Sequence, residues 1–127
     1  SATAAKQARD VEGGLLGRVA NERAQRDLEP LRRSEDLTAV ARAHSAAMAR
    51  SGRLEHNADL GTDVSAWRWI GENVAIGTSA KQIHRMLMLS APHRANLLRP
   101  DAAHVGIGVV RAEGQVWVTQ VVRTPAR

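Results

Sequence analysis

The sequence predicts an α+β fold in which helices come first along the chain and a β-hairpin comes last. Apolar residues recur at helical spacing from Leu15 onward, whereas they alternate at strand spacing from His104 to Arg123. The length, 127 residues, is that of one domain. Helices followed by a hairpin favour an antiparallel sheet that the helices cover.

The first helix is expected to begin at Leu15 and to end at Glu29, because the residue before Pro30 avoids the helical region. Residues 1–14 are polar and alanine-rich, and they either extend this helix or fray. We therefore divide the chain into an N-terminal extension, 1–14, and a folded domain, 15–127.

A second helix is predicted between Ser34, a good N-cap, and Gly52, a good C-cap. Acidic residues in its first turn favour the positive end of the helix dipole. One stripe at helical spacing is apolar apart from a single histidine: Leu37, Val40, Ala41, His44, Ala47 and Met48. We expect this stripe to face the core and His44 to be half-buried with one hydrogen bond.

The middle of the chain contains two shorter helices. Residues 53–70 are rich in turn formers and are expected to be mostly loop, and "GENVAIG" after them is either a short strand or a turn. A helix capped by Thr78 or Ser79 follows, and Pro92 opens another that runs through Leu98. The residues of the first of these helices that are expected to point inward are Ile83, Met86 and Leu87.

The hairpin consists of "HVGIGVVR" and "VWVTQVVR", joined by the turn "AEGQ". Val105, Ile107 and Val109 share one face of its first strand. Gly106 and Gly108 lie on the other face, where the missing side chains let a helix or a histidine ring approach closely.

The composition excludes several classes of protein. Without cysteine the chain has neither disulfides nor thiolate metal ligands. The net charge is +5, but the arginines are spread along the chain and no aromatic cluster accompanies them. This argues against nucleic-acid binding and leaves loose attraction to an acidic cell surface. No apolar run is long enough for a transmembrane segment or a signal peptide, so any export signal is expected to be absent from this chain.

Three polar residues form the candidate site. His56 and His93 lie near helix ends, where side chains can converge on a cleft, and Glu72 stands between a glycine and an asparagine before an apolar run. Two histidines and a carboxylate could bind zinc and leave its fourth position open. They could instead serve as a base and an acid for proton transfer.

Other constellations are weaker. Ser90 stands close before His93, but Ser and His so near in a turn usually point apart, and Ser90 equally well caps the helix that Pro92 opens. No Gly-x-Ser-x-Gly motif is present, so a relay of Ser90, His93 and Glu72 is disfavoured. His84 is expected on the solvated side of its helix, and His104 is given no role.

Taken in order, several motifs resemble the CAP superfamily of cysteine-rich secretory proteins, antigen 5 and pathogenesis-related proteins, in its bacterial, disulfide-free branch. They are "LLGRVANERAQRDLEPLRRSEDLTAVARAHSAAMARSGRLEHN", "GENVAIG", "SAPHRANLL", "HVGIGVV" and "VWVTQVV". The resemblance covers about Leu15 to Arg123, and residues 15–127 are identified as a CAP, or SCP-like, domain.

The resemblance implies a three-layer α-β-α sandwich around a small antiparallel sheet, with a strand at "ENVAIG". It also implies a cleft with two histidines and two glutamates, of which His56, Glu72 and His93 match three. The second glutamate falls near Ser90 and is missing, and Arg94 stands where the family has an aromatic residue. Members are secreted or cell-envelope proteins, and we expect the same location here.

Three functions stay open. The first is an extracellular or cell-envelope binding module for a lipid, a peptide or a cell-wall component, with zinc or another divalent cation as a candidate cofactor on His56, His93 and Glu72. The alternative is a zinc-dependent hydrolase, a peptidase or esterase, in the same cleft. The missing second carboxylate weakens the hydrolase hypothesis, because one glutamate cannot easily both bind metal and transfer protons. In the third, the site residues only hold the loop at 54–71.

Overall fold

The structure is a computed structural model that describes residues 1–127, and it has helices on both faces of a four-stranded sheet. The elements are α1 (Ala2–Ala24), β1 (Arg32–Arg33), α2 (Glu35–Ser51), α3 (Leu60–Asp63), β2 (Trp67–Gly77), α4 (Ala80–Met88), α5 (Ala91–Leu97), β3 (His104–Ala112) and β4 (Gln115–Pro125). The α+β class and the three-layer α-β-α sandwich are confirmed.

The sheet has the strand order β1-β3-β4-β2. The antiparallel sheet is confirmed for β2, β3 and β4, whereas β1 adds a short parallel strand beside β3. Arg32 and Ser34 donate their backbone N–H groups to the carbonyls of Ala103 and Val105. No local sequence pattern predicts β1, because its two arginines form a strand only by pairing with β3, which is far away in the sequence.

Two separate apolar clusters join the layers. α2 packs on one face of the sheet, and α1, α4 and α5 pack on the other. The larger cluster contains Leu15, Val19, Ile83, Leu87 and Leu97 from the helices and the odd-numbered valines and isoleucine of β3. The smaller one contains Leu37, Ala41, Val64 and Val121. Of the site residues, Glu72 lies on β2, His56 lies in the segment between α2 and α3, and His93 lies on α5.

Helix α1 crosses the predicted boundary at residue 14 without a break. It begins at Ala2, earlier than the predicted start at Leu15, and both Ala8 and Glu12 are buried. It also ends at Ala24, before the predicted end, and the chain then turns through Asp27, whose φ is 55°.

Helix α2 is capped at its C-terminal end by Gly52, whose φ of 70° is in the left-handed region, as predicted. The predicted close approach at the two glycines of β3 is confirmed. A β-carbon on Gly106 would lie 2.2 Å from the carbonyl carbon of Leu37, and one on Gly108 would lie 2.1 Å from the backbone nitrogen of Arg42. The backbone of α2 therefore rests directly on β3.

Helix α4 is turned differently from the prediction. Ile83 and Leu87 are buried as predicted, but Met86 is 41% exposed, so its inward placement is wrong. The prediction of a solvated His84 is also wrong, because His84 is buried and its Nε2 lies 2.8 Å from Glu22 Oε2 of α1. Gly14 of α1 lies against Ala80, so α1 and α4 are neighbours and Glu22 reaches the buried side of α4.

The segment 53–70 is less irregular than predicted, since it contains α3 and the start of β2. Trp67 donates its indole N–H to the carbonyls of Gly61 and Val64, both at 3.1 Å, and so fastens α3 to the strand. The strand that the family resemblance implied at "ENVAIG" is confirmed and longer than implied.

Candidate functional site

Strand β2 directs two neighbouring side chains to opposite faces of the sheet. Glu72 pairs with Val121, a member of the cluster under α2, whereas Asn73 pairs with Gln120. Because side chains alternate along a strand, Glu72 lies on the α2 face and Asn73 on the α5 face. Both are buried. The site is therefore built from both faces at one edge strand.

Glu72 ties the segment after α2 to the sheet. Its Oε1 accepts hydrogen bonds from the ring Nδ1 of His56 and from the backbone N–H of Asn57, both at 2.9 Å. Its Oε2 is buried and has no hydrogen-bond partner. Oε1 of the carboxylate thus accepts two hydrogen bonds, whereas Oε2 accepts none.

The contact with Glu72 sets the chemistry of His56. Since a carboxylate accepts, Nδ1 carries the proton, and in the neutral ring Nε2 then has the lone pair. The side chain of His56 is 66% exposed. A carboxylate that holds a histidine in this way fixes its tautomer and ring orientation. His56 can therefore offer Nε2 as an acceptor or a base, with Glu72 as the group that orients it.

His93 belongs to a second pair. Its Nδ1 lies 2.7 Å from Ser90 Oγ, so the expectation that these two side chains point apart is wrong. Ser90 occupies the N-cap position of α5, but its hydroxyl makes no capping hydrogen bond. No hydrogen bond joins the ring of His93 to His56 or to Glu72. The three predicted residues thus form one direct contact, His56–Glu72, with His93 in a separate pair.

Two asparagines connect the pairs. Asn73 Nδ2 donates to the carbonyl of His93 and to Gln120 Oε1, both at 3.1 Å. Asn96 Nδ2 lies 2.9 Å from Asn73 Oδ1 and 3.3 Å from the carbonyl of Glu72. These amides fix α5 against β2. Sequence reasoning missed them, although the asparagine that follows Glu72 in "GENVAIG" was a visible signal.

A preformed zinc site is not part of this arrangement. No group of three or more His, Cys, Asp or Glu side chains is placed so that it could hold a metal ion. Glu72 already accepts two hydrogen bonds on Oε1, and His93 is paired with Ser90. The three-ligand zinc set therefore does not fit as it stands, and it stays a prediction from the sequence.

A cleft of about 460 Å³ adjoins the His56–Glu72 pair. Its lining consists of one face of α2 and two polar residues beyond it: Ala39, Val40, Ala43, His44, Ala47, Asn57 and Asp63. Asn57 belongs to both features, because its backbone N–H reaches Glu72 and its side chain donates to Asp63 at 3.1 Å. None of the cavities in the structure is lined by His56, Glu72 or His93 themselves.

The two remaining histidines have structural partners. His44 is half-buried and donates from Nε2 to the carbonyl of Glu55 at 2.6 Å, as predicted. His104, which was given no role, accepts at Nδ1 from Arg123 Nε at 3.0 Å. Arg123 in turn contacts Asp36 at 2.7 Å and, with help from Ser34, lowers the pKa of that carboxyl to about 2.

Comparison with known proteins shows the family of this chain. The model of the Cysteine-rich secretory protein family, CAP, matches residues 16–122. The chain belongs to this family. The CAP domain is also 30% identical over 110 residues to the uncharacterized protein YkwD of Bacillus subtilis (strain 168), across 80% of this chain and 42% of that protein.

Solved structures share the fold. An extracellular protein containing an SCP domain from Bacillus anthracis has a TM-score of 0.80 at 20% identity, over 91% of this chain and 40% of the other. An outer surface protein of Borrelia burgdorferi has a TM-score of 0.82 at 14% identity, over 93% and 94%. The CAP domain thus spans less than half of both Bacillus proteins.

The descriptions of these bacterial relatives place them outside the cell or on its surface. Within the described chain, none of the helices has the length and apolar character that a membrane crossing requires.

Proposed function

We propose that this CAP domain is a non-catalytic binding module of the extracellular space or cell envelope, and that its His56–Glu72 pair recognises a polar ligand of peptide or cell-wall type. The observation that carries the proposal is the division of the candidate residues into two pairs, Glu72 with His56 and Ser90 with His93. The location follows that of the bacterial relatives.

A Ser-His-acid relay requires a nucleophile, a base and an orienting acid in one hydrogen-bonded chain. Ser90 and His93 have no acid beside them, whereas His56 and Glu72 have no nucleophile. The zinc-dependent hydrolase needs a carboxylate that is free to act on bound water, and Glu72 instead holds His56 and Asn57. These contacts support binding over hydrolysis.

The unsatisfied atoms indicate the chemistry of the ligand. The side chain of His56 is exposed, so its Nε2 is the accessible acceptor, whereas Glu72 Oε2 has no donor but is buried from solvent. A peptide or an amino sugar provides N–H and O–H donors for Nε2 of His56, whereas a hydrocarbon chain provides none. The adjoining cleft combines alanine methyl groups with a polar rim at Asn57 and Asp63, which suits a ligand of mixed character.

The test compares two glutamates of the same region. Soluble peptidoglycan fragments are added to the wild type, to Glu72→Gln and to the control Glu55→Gln, which removes a charge from an exposed side chain beside His56. A ligand at a hundred times its Kd stabilises the folded state by about 2.7 kcal/mol, which raises Tm by several degrees. We expect this rise in the wild type and in Glu55→Gln and its loss in Glu72→Gln.

Other outcomes would replace the proposal. A Tm rise with zinc that disappears in His56→Ala/His93→Ala, together with zinc-dependent hydrolysis of casein or an ester, would establish the hydrolase. A lipid that mass spectrometry finds on the purified wild type but not on Glu72→Gln would establish a lipid site. A chain that responds to none of these probes would leave the third function, in which Glu72 only holds the loop.

A further inference from the structure

The outer side of α4 carries positive charge without any compensating acid. Between Glu72 and Asp101 the chain contains no Asp or Glu, but it contains four Lys or Arg residues. Two of them, Lys81 and Arg85, are exposed and take part in none of the ion pairs of the structure. Their charge is therefore available to an external partner.

Exposed apolar side chains lie beside these cations. Leu89, directly after the last residue of α4, is 76% exposed, and Met86 is 41% exposed. Lys81, Arg85 and Leu89 follow one another at i,i+4 spacing and so form one row on the helix, opposite to the buried side chains. We call the set Lys81, Arg85, Met86 and Leu89 the α4 surface.

Two neighbouring arginines extend the positive charge. Arg18 lies midway between Gly14, which contacts Ala80, and Glu22, which bonds His84, so it shares the row of α1 that faces α4. Arg18 is exposed and forms no ion pair. At the other end, Arg94 donates to the carbonyl of Met88 at 2.7 Å, which holds its guanidinium beside Leu89.

We propose that the α4 surface docks this CAP domain onto an anionic lipid bilayer. Leu89 and Met86 enter the boundary between headgroups and acyl chains, and Lys81 and Arg85 contact lipid phosphates. Basic residues at a membrane surface strengthen binding by attraction to lipid phosphates, and buried apolar side chains strengthen it further. The exposed leucine favours a bilayer over a soluble polyanion, because a polyanion offers it no apolar environment. This docking does not involve the His56–Glu72 pair.

The first test compares two charge reversals of equal size. Lys81→Glu/Arg85→Glu changes the α4 surface, whereas Arg50→Glu/Arg53→Glu changes two exposed arginines near the end of α2 that form no ion pair. Binding of the full chain is measured by co-sedimentation with vesicles of phosphatidylglycerol and phosphatidylcholine. We expect the α4 variant to bind at least about tenfold more weakly and the control to change by about twofold or less. Equal losses in both variants would overturn the proposal in favour of net charge alone.

The second test uses the absence of cysteine. Leu89→Cys and, as a control at another exposed leucine, Leu54→Cys each provide a single thiol for an environment-sensitive dye. We expect the dye at position 89 to shift to shorter wavelength on anionic vesicles and the dye at position 54 to stay unchanged. An unshifted dye at position 89, with binding that inorganic polyphosphate abolishes, would mean a soluble anionic polymer as partner and would overturn docking to the bilayer.

Discussion

His104 is held between two guanidinium groups at the edge of β3. Arg123 donates to its Nδ1 at 3.0 Å, and Arg32 Nη2 lies 3.5 Å from its Nε2. Burial is the largest cause that lowers the pKa of His104, and the charges of Arg123 and Arg32 lower that pKa further. The charge of Asp36 has a smaller opposing effect. Because Nδ1 accepts a hydrogen bond, His104 is neutral in the folded protein.

This lowered pKa makes the stability depend on pH. As the pH falls, the unfolded chain protonates His104 before the folded protein does. The contribution of His104 is therefore complete above the unfolded pKa of about 6.5 and is lost as the pH falls below it toward the folded pKa. We expect Tm of the wild type to drop as the pH falls below about 6.5, as measured by circular dichroism.

The matched variant is His104→Asn, whose amide oxygen can accept from Arg123 without titrating. Its Tm should fall less over the same interval, and a fall equal to that of the wild type would show that another group is responsible. Asp36 does not interfere, since its folded pKa of about 2 confines its loss of stabilisation to the range below its ordinary value of 3.8.

The role of a single residue was predictable where the residue lies in a recognisable local motif. His56 and Glu72 were identified from motifs, and they do lie in contact. The burial of His84 and the hydrogen bond of His104 could not be predicted, because their partners, Glu22 and Arg123, come from other elements. The Ser90–His93 contact was misjudged for a different reason, since a hydroxyl at an N-cap position ordinarily bonds the backbone.

At the scale of elements, α2 depends on the two glycines of β3. Gly108→Ala would place a methyl group 2.1 Å from the backbone nitrogen of Arg42 and 2.3 Å from the carbonyl carbon of Ala41. Backbone atoms cannot move aside as side chains do, so the helix would have to shift as a whole. We expect a loss of about 3 kcal/mol in the free energy of unfolding, measured by urea denaturation.

The matched control is Gly17→Ala in α1, where an added methyl group meets no atom within 4 Å. Because alanine favours a helix over glycine, this variant should gain about 0.5–1 kcal/mol. If Gly108→Ala cost no more than about 0.5 kcal/mol, the close seating of α2 on β3 would be refuted.

Elements with strong local signals were predicted well. α2 has a capping glycine and an apolar stripe, and its bounds are close to those predicted. β2 stayed ambiguous because its centre carries Glu72 and Asn73, which hold the site together and interrupt the apolar pattern of a strand. β1 gave no signal at all, since two arginines form a strand only where β3 offers them a pairing edge.

For the whole molecule, the open question is whether residues 1–14 belong to the folded unit. Glu12 joins three elements, since it accepts from Arg42 of α2 at 3.0 and 2.7 Å and from the backbone of Val109 in β3 at 3.0 Å. Arg9 lies 2.9 Å from the same carboxylate. The first turns of α1 thus contribute to packing and to charge compensation across the layers.

We expect a chain that begins at Leu15 to be less stable than the full chain by at least about 2 kcal/mol, because Arg42 loses its carboxylate partner and Val109 its acceptor. Urea denaturation measures this difference. Glu12→Gln in the full chain, which keeps the shape and removes the charge, should show part of the loss. A shortened chain with unchanged stability would instead support a separate N-terminal extension.

The antiparallel sheet covered by helices was predictable from the order of helices and hairpin, whereas the three-layer sandwich was predicted from the family resemblance. The pairing of α1 with α4 was not, since the partners Glu22 and His84 are polar and far apart in the chain.

The position of β2 at the rim of the sheet has one more consequence. An outer strand exposes backbone groups that can recruit strands from other molecules. Here Asn96 donates to the carbonyl of Glu72, and Gln82 accepts from the backbone N–H of Thr78. The amide of Asn96 thereby occupies one backbone group within β2, and that of Gln82 occupies one directly after the end of the strand. Helix α5, which supplies His93 to the site, therefore also removes a backbone acceptor that a strand from another molecule would use at this rim.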